Sequence, residues 1–351
     1  MRCPRLHDLP PPPPGKTGWP WTEDTAHLPD LQSDSRRWPR VSVVTPSYNQ
    51  GQFLEETIRS VLLQGYPDIE YIIMDGGSTD VSPEIIRTYE TWLALWVSEP
   101  DRGQTHAINT GWSQATGEIF AYINADDSYL PGTVSTIAHE FTTASQVGMV
   151  YGTALIVNEE GQAVREWEAE PFDVVPMLTK GNIVPQSASF FSKDAVRSAG
   201  PLNEDWKLIM DYDFSIRVGM QFPSVCVDRT LATFRAHPDA KTRLQFESTA
   251  KELIEFVDDL DIDPVTPQEA RRIKRAALSR VYYELAWGYL GYLSGDYREG
   301  SKALGPLAKS ILLHPQYALS RPRLTARIMT ALLVDSPWEW LRRTLAKRAG
   351  S

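Results

Sequence analysis

Short apolar segments alternate with helical segments from residue 41 onward, and this alternation constrains the fold more than any other feature of the chain. The first apolar segments predict four strands, over residues 41–45, 69–74, 95–97 and 118–123. Helical spacing predicts helices over residues 52–64, from Ser82 with Pro83 at its first position, over 104–115, and from 131 to about 143. Such alternation predicts an α/β fold with a mostly parallel sheet and helices on both faces.

The pattern becomes mixed beyond residue 147. It predicts a strand pair over residues 148–157 and 163–167, and a helix over 211–221. Three more short strands are predicted over residues 187–192, 224–227 and 231–234. A mixed pattern of this kind favours antiparallel strands added to the parallel sheet. We expect these additions to cover the functional site.

The chain has three parts by composition. Residues 1–38 are rich in Pro and Trp and predict a flexible or draped arm, residues 39–243 form the α/β domain, and residues 244–351 read as a helical extension. Within the extension, Leu285–Leu319 resembles a single tetratricopeptide helix pair. One such unit cannot bury its own face, so it either packs on the α/β domain or binds a protein partner.

Charge, cysteine content and the lack of long apolar segments limit the partners and the location that we expect for this protein. The net charge of −10 disfavours nucleic-acid binding, and two cysteines make no disulfide framework. We expect neither a signal peptide nor a membrane-spanning helix, and therefore a cytoplasmic protein. The basic amphipathic segment 338–348 has two interpretations, a solvated terminal helix or a peripheral contact with the inner face of an anionic membrane.

Polar clusters follow three of the predicted strands, at residues 45–50, 75–80 and 124–127. In open α/β sheets, ligands bind at the carboxyl ends of the strands. Asp126 and Asp127 come directly after an apolar strand, where burying two negative charges is costly. A divalent cation that also holds a phosphate would offset this cost, and a solvated Asp-Asp turn is the alternative.

Four motifs in order resemble those of glycosyltransferase family 2 across residues 40–238. They are Thr45-Pro46-Ser47-Tyr48-Asn49, Asp75-Gly76-Gly77-Ser78-Thr79-Asp80, Glu99-Pro100-Asp101-Arg102-Gly103-Gln104 and Asn124-Ala125-Asp126-Asp127. The resemblance implies the A-type glycosyltransferase fold and an inverting, metal-dependent enzyme. The helical extension of this chain, residues 244–351, is an addition to that fold.

The first two motifs contain candidates for binding the nucleotide sugar. Tyr48 can stack on a nucleobase or cover a helix start, and Pro46 stiffens the turn beside it. Asp75 can accept hydrogen bonds from the base or ribose, or cap the glycine-rich turn. Relatives often carry a second acidic or amide residue that contacts the base, but this chain has Gly76 there, so the resemblance does not imply uridine.

The third motif follows the third predicted strand. By resemblance its loop, with Asp101 and Arg102, approaches the nucleotide or the sugar, and Arg102 is placed to contact phosphate. Asn109 on the next helix would point toward the site if that helix begins near Gly103. The alternatives are that Arg102 is simply an exposed arginine and that Asn109 is a polar residue of the first helical turns without a role in binding.

The resemblance divides the metal motif between two roles. It implies that Asp127 binds Mn²⁺ or Mg²⁺ and that Asp126 reaches the ribose or a metal-bound water. His237 would be a further ligand, or a surface histidine. The metal would neutralise the departing nucleoside diphosphate.

Three residues beyond the motifs are candidates on the acceptor side. Asp211 matches the general base that takes the proton of an acceptor hydroxyl, with a helix cap as its alternative, and Asp213 is expected to be structural. By resemblance, Gln186 lies in the region that faces the acceptor, and Trp206 is a candidate platform on which a sugar can stack. The alternative for each is a place in the core or at its rim.

The sequence therefore predicts transfer of a sugar from a nucleotide-diphosphate sugar to a saccharide or lipid-linked hydroxyl, in surface polysaccharide or glycolipid assembly. A catalytically degenerate scaffold that works through the helical extension is the alternative. A nucleotidyltransferase is disfavoured because residues 45–50 contain no basic residue, and a dehydrogenase because the glycine fingerprint is missing.

Overall fold

The computed structural model describes residues 1–144, 146–237, 245–262, 265–289 and 302–321. The chain divides into two compact units by its internal contacts. The first unit comprises Met1–Val174 and Asn182–His237, and the second comprises Val175–Gly181 and the residues after His237.

The predicted parallel core is confirmed. Its strands are β1 (Val41–Ser47), β2 (Ile69–Asp75), β3 (Leu95–Ser98) and β4 (Ile119–Tyr122), and they pair in parallel in the order β3-β2-β1-β4. The helices between them are α1 (Gly51–Leu62), α2 (Ser82–Tyr89) and α3 (Gln104–Gln114). Every residue of β1 and β4 is buried, which explains why neither strand contains a charged residue.

One expectation about β1 was wrong. Pro46 does not lie in a turn after the strand, because β1 continues to Ser47 and Pro46 stands opposite Met74 of β2. β4 pairs with Val41 to Val44 only, so Pro46 lies beyond the ladder with β4 that a proline would interrupt.

The predicted antiparallel additions are also confirmed. The further strands are β5 (Ser128–Tyr129), β6 (Met149–Val157), β7 (Ala163–Trp167), β8 (Ser189–Ser192) and β9 (Ser224–Arg235), and the sheet continues as β4-β8-β6-β9-β5, with β7 beside β6. Only β6 and β9 pair in parallel among these additions. The helices of this part are α4 (Thr133–Thr143), α5 (Val174–Lys180), α6 (Lys193–Ala199) and α7 (Met210–Gln221).

Two strand predictions in this part were wrong in detail. The segments 224–227 and 231–234 form one strand, β9, whose register with β6 shifts around the exposed Asp228 and Arg229. A bulge lets polar residues point outward without ending the strand, which the sequence pattern reads as a break. The segment 187–192 begins in a short 3₁₀ helix, so β8 is shorter than predicted.

Residues 1–38 belong to the first unit and pack against the rest of it. They contain little regular structure, yet Cys3 and Trp21 are buried. The guanidinium of Arg59, on α1 and fully buried, donates hydrogen bonds to the carbonyl oxygens of Pro20 at 3.1 Å, Pro10 at 2.9 Å and Trp21 at 3.1 Å. Arg59 therefore ties this segment to the helix that follows β1.

The second unit is helical over its described residues. Besides α5 it contains α8 (Phe246–Asp259), α9 (Pro267–Tyr289), α10 (Leu304–Leu313) and α11 (Pro315–Leu319). A small core of Tyr283, Ala286, Ala303 and Leu307 joins α9 to α10. The centre of the predicted tetratricopeptide-like unit, around residues 295–297, and the basic segment 338–348 lie outside the described residues. In the part of the chain that is described, no helix is long and apolar enough to cross a membrane.

We predict that Arg59→Met lowers the free energy of unfolding by about 2–4 kcal/mol, because several buried carbonyl oxygens lose their hydrogen-bond donor. Chemical denaturation of the full chain measures the change, and limited proteolysis should cut within residues 1–38 faster than in the wild type. Arg197→Met, at an exposed position on α6, is the matched control. An Arg59→Met protein as stable as this control would contradict the tethering role.

Candidate active site

The polar clusters after the first, second and fourth strands meet at one edge of the sheet, as the sequence predicted. Ser47 and Asp75, the last residues of β1 and β2, stand opposite each other, and the Gly76 amide donates to the Ser47 carbonyl at 2.8 Å. The Ile123 amide, just after β4, donates to the Val44 carbonyl at 2.9 Å. These bonds bring the three loops to a common carboxyl edge.

Tyr48 presents an aromatic ring to solvent at this edge, with 62% of its surface exposed. The next residue, Asn49, adopts a left-handed conformation with φ of 51°. Its amide donates to the Ser78 hydroxyl at 2.8 Å, and its side-chain oxygen accepts from the Thr79 amide at 2.9 Å. The loop that holds Tyr48 is thus fastened to the glycine-rich turn.

Asp75 is buried and fully engaged by neighbouring donors. Its carboxylate accepts hydrogen bonds from the Ser78 amide at 2.9 Å, the Ser78 hydroxyl at 2.5 Å and the Ser98 hydroxyl at 2.7 Å. These bonds order the glycine-rich turn, the role that the sequence left as the alternative to base recognition.

Asp101 places its carboxylate directly over Gly76. A Cβ atom built on Gly76 would lie 3.1 Å from Oδ2 of Asp101, so a side chain at position 76 would compete with this carboxylate for the same space. The Asp101 side chain is held by the Gly103 amide, which donates to Oδ1 at 2.6 Å. An acidic group thus stands beside the glycine-rich turn although the turn itself has Gly76.

Arg102 and Asn109 hold the segment that precedes α7. Arg102 forms an ion pair with Glu204 at 2.9 Å, although 68% of the arginine side chain is exposed. Nδ2 of Asn109 donates to the Leu202 carbonyl at 2.9 Å, and Oδ1 of Asn109 accepts from the Leu202 backbone amide at 3.0 Å. The contacts with the nucleotide sugar that were predicted for Arg102 and Asn109 stay predictions.

Asp127 is a buried carboxylate, with 2% of its surface exposed. Its Oδ1 accepts from the backbone amide of Arg235 at 2.9 Å, and its Oδ2 lies 3.4 Å from Nδ2 of Asn124. Burial raises its pKa well above the usual range, and the charge of Asp126 raises it further. Folding therefore disfavours the ionised form of Asp127, and the two neutral donors and the charge of Arg235 offset this effect only in part.

Arg235 and Thr57 fix the backbone of the Asp126-Asp127 turn. Nε of Arg235 donates to the Asp126 carbonyl at 3.0 Å, and its Nη2 donates to Glu56 at 2.6 Å. The Thr57 hydroxyl lies 2.6 Å from the Asp127 carbonyl oxygen. Strand β9 and helix α1 thus clamp the turn from two sides.

His237 pairs with the first aspartate of the motif. Its Nε2 lies 3.1 Å from Oδ2 of Asp126, and its ring is buried against Phe53. The contact with Asp126 brings His237 to the Asp126-Asp127 turn, and its predicted role as a metal ligand stays a prediction.

The residues of this turn fit a hard divalent cation. Among the described residues, no group of three His, Cys, Asp or Glu side chains could hold a metal by itself. Mg²⁺ and Mn²⁺ need no such group, because one or two carboxylates suffice when phosphate oxygens and water complete the coordination. The observation that favours a cation here is the raised pKa of buried Asp127, next to Asp126, because a bound cation would stabilise the ionised carboxylates.

Asp211 lies in the first turn of α7, whose N-cap is Ile209. Burial raises the pKa of Asp211 to about 6. Nδ2 of Asn182 lies 3.4 Å from Oδ2 of Asp211. Asp213, two residues later, forms an ion pair with Arg217 at 2.8 Å, a structural contact of the kind that the sequence led us to expect.

Tyr122 lies near both Asp211, the predicted general base, and Asp127, the predicted metal ligand. Its hydroxyl is buried and has no hydrogen-bond partner among the described residues. Burial raises the pKa of this phenol well above the usual range, and the charges of Asp211 and Asp127 raise it further. The structure therefore brings Asp211 and Asp127 within electrostatic reach of one buried hydroxyl, although they are far apart in sequence.

A chain of side-chain amides joins the third and fourth motifs to the acceptor candidate Gln186. Asn124 accepts a hydrogen bond from Gln104 at 2.7 Å and donates to Gln186 at 3.2 Å. Gln186 in turn donates to the Tyr122 carbonyl at 2.9 Å. Gln186 thus lies beside the candidate metal turn, whereas half-buried Trp206 contacts the start of α3 through its carbonyl oxygen.

Sequence reasoning assigned no role to several residues of this arrangement. Asn124 stands inside a motif, and Arg235 stands two residues before His237, so both could have been found from their positions. Asn182 and Tyr122 give no such signal. Their neighbours are defined by the folded chain alone.

Comparison of the sequence with known proteins finds glycosyltransferases. A family model described as Glycosyl transferase family 2 matches residues 42–194. An uncharacterized glycosyltransferase of Mycobacterium tuberculosis is 30% identical over 198 residues, which are 56% of this chain and 75% of that protein. A PGL/p-HBAD biosynthesis glycosyltransferase of Mycobacterium bovis is 29% identical over 183 residues, 51% of this chain and 69% of that protein.

Solved structures share the fold. Residues 1–349 of Staphylococcus aureus TarS, in complex with UDP-GlcNAc, superpose with a TM-score of 0.58 at 16% identity, covering 86% of this chain and 92% of that one. A mannosyltransferase from Pyrobaculum calidifontis, in complex with GDP-Man and Mn²⁺, gives 0.54 at 21% identity and covers 91% of each chain. The predicted α/β fold of A-type glycosyltransferases is confirmed.

We predict that Asp211→Asn stabilises the protein at neutral pH, by up to about 3 kcal/mol. Because the pKa of Asp211 rises from 3.8 to about 6 on folding, the wild type loses stability as the pH rises between these values. The asparagine variant does not titrate, so its advantage should be near zero below about pH 4 and complete above about pH 7. Denaturation at pH 4 and pH 8 measures the difference.

Asp205→Asn, at an exposed position shortly before α7, is the control for this measurement. It should change stability little at either pH. A stability gain for Asp211→Asn that is the same at both pH values would contradict the raised pKa.

Proposed function

The chain belongs to glycosyltransferase family 2, and we propose that it is an inverting enzyme that transfers a sugar from a nucleotide-diphosphate sugar to a hydroxyl acceptor. The observation that carries this proposal is that Asp127, which follows β4, and Asp211, in the first turn of α7, both lie near enough to Tyr122 for their charges to raise its pKa. In this proposal Asp127 helps to hold the cation that binds the leaving diphosphate, and Asp211 accepts the proton of the acceptor hydroxyl.

The nucleoside is assigned to the first two motifs and the loop after β3. The exposed ring of Tyr48 offers a face on which a base can stack. The Asp101 carboxylate, over Gly76, is the group that we propose reads the edge of the base or the ribose. The UDP-GlcNAc and GDP-Man in structures of the same fold support a nucleotide-sugar donor.

The diphosphate is assigned to the Asp126-Asp127 turn. Asp127, with Asp126 and His237 beside it, would hold Mn²⁺ or Mg²⁺, and the Mn²⁺ in the Pyrobaculum calidifontis structure supports this assignment. When bound, the cation would neutralise charge that develops on the departing nucleoside diphosphate. Arg235 and Thr57 keep the turn in place for this role.

Asp211 is the proposed general base. With a pKa of about 6, it is mostly ionised at pH 7 and is a stronger base than an ordinary aspartate. It takes the proton of the acceptor hydroxyl as the hydroxyl oxygen bonds to the anomeric carbon. The bond from that carbon to the diphosphate oxygen breaks with its electron pair, and attack from the opposite face inverts the centre.

The acceptor side is assigned to the region around Gln186, with Trp206 as a sugar-stacking candidate at its rim. We propose a saccharide or lipid-linked acceptor and work in surface polysaccharide or glycolipid assembly at the inner face of the membrane. The relative named for PGL/p-HBAD biosynthesis supports a glycolipid setting. In this proposal, residues 39–243 carry catalysis and residues 1–38 and 244–351 flank it.

The test is transfer by the purified full chain with a panel of nucleotide sugars and Mn²⁺. We predict that Asp211→Asn lowers kcat by about a hundredfold to ten-thousandfold while donor binding persists, because only proton removal is lost. In the wild type, kcat/KM should rise about tenfold per pH unit up to about pH 6 and then level off.

Asp205→Asn is the matched control and should behave as the wild type. Full activity of Asp211→Asn would exclude it as the base. If no donor is turned over while a nucleotide sugar still binds tightly, the chain is a nucleotide-sugar-binding scaffold.

A second prediction concerns the base. Asp101→Asn keeps the oxygen that accepts from Gly103 but removes the charge, so the loop should keep its conformation. We expect it to weaken binding of the preferred nucleotide by about tenfold or more, with its preference over other bases reduced. Calorimetry with a set of nucleoside diphosphates measures this. An unchanged preference would exclude base reading by Asp101.

A further inference from the structure

A basic cleft of about 560 Å³ lies in the second unit, far in sequence from the four motifs. It opens between the first turns of α9 and the junction of α10 with α11. The polar side chains that line it are Gln268, Arg271, Arg272, Arg275, His314 and Gln316.

The three arginines of the basic cleft are exposed, and no ion pair or hydrogen bond joins their side chains to any described residue. Other arginines do find acidic partners. Arg280, further along α9, donates to Glu284 at 2.7 Å. In a chain with 45 acidic and 35 basic residues, three neighbouring arginines without a carboxylate partner call for an explanation.

The arrangement is unfavourable for the helix that carries it. Arg271 and Arg275 are four residues apart on α9, a spacing at which like charges repel. A bound anion would offset this repulsion.

His314 adds a further polar group to the cleft. Its Nδ1 is buried and has no hydrogen-bond partner among the described residues, although the residue lines the cleft. Buried polar atoms are paired in most folded proteins, and among the described residues this nitrogen is not. Leu313 and Pro315, on either side of it, supply apolar contact surface.

We propose that the basic cleft binds a phosphate or diphosphate group carried by a larger molecule. Guanidinium groups pair with phosphate oxygens through two parallel hydrogen bonds, and three of them suit an anion with more than one charge. The volume lies within the range of small-molecule sites, which leaves room for atoms beyond the phosphate. This inference does not depend on the proposed transfer reaction, because no residue of the cleft belongs to the four motifs.

The test is calorimetric titration of the full chain with inorganic pyrophosphate in EDTA, which withholds metal from the Asp126-Asp127 turn. We expect Arg272→Glu to weaken binding at the cleft by about tenfold or more, and Arg272→Gln to weaken it less. Arg197→Glu, an equal charge change at an exposed position on α6, should leave binding as in the wild type. Equal thermal unfolding midpoints for the variants and the wild type verify folding.

A second arm identifies the source of the phosphate. The same proteins are sedimented with phosphatidylcholine vesicles, with and without phosphatidic acid. Binding to phosphatidic acid that Arg272→Glu abolishes and Arg197→Glu retains would indicate a lipid headgroup, whereas pyrophosphate binding alone would indicate a free ligand. The proposal is overturned if neither pyrophosphate nor vesicle binding depends on Arg272, or if Arg197→Glu lowers both equally.

Discussion

Burial of the Asp127 carboxylate at the end of β4 is the constraint on which the rest of the first unit depends. A charge in this position is costly, and the fold stabilises it with neutral donors, the Arg235 amide and the Asn124 side chain. Burial nevertheless raises the pKa of Asp127, and the charge of Asp126 raises it further. The same burial that disfavours the ionised carboxylate is what supports the proposed cation at this turn.

Helix α1 connects this turn to the N-terminal segment. On one side it contributes Thr57 and Glu56, which hold the turn directly and through Arg235. On another side it contributes Arg59, whose guanidinium gathers backbone carbonyls of residues 10–21. Residues 1–38 are thus joined to the site through one rigid helix, which gives an irregular segment a structural role.

Prediction from the sequence succeeded where neighbours in the chain decide the outcome. The parallel core followed from short apolar segments that alternate with helical ones, and the meeting of Tyr48, Asp75 and Asp127 at one edge followed from strand order. Prediction failed where contacts between distant residues decide, as in the single strand β9, which bulges past Asp228. The closeness of Asp211 to Tyr122 belongs to the same class, since no local pattern relates them.

The sequence by itself determined the α/β architecture, the family and the motif residues, because strand periodicity and motif spacing are local properties of the chain. Only the tertiary structure decided that the Asp101 carboxylate occupies the space over Gly76 and that Asp211 is buried enough to raise its pKa to about 6. The first depends on which loops the fold brings together, and the second on which distant segments exclude water from the Asp211 carboxylate. Desolvation of a charge is a property of the packed molecule, so no window of sequence contains it.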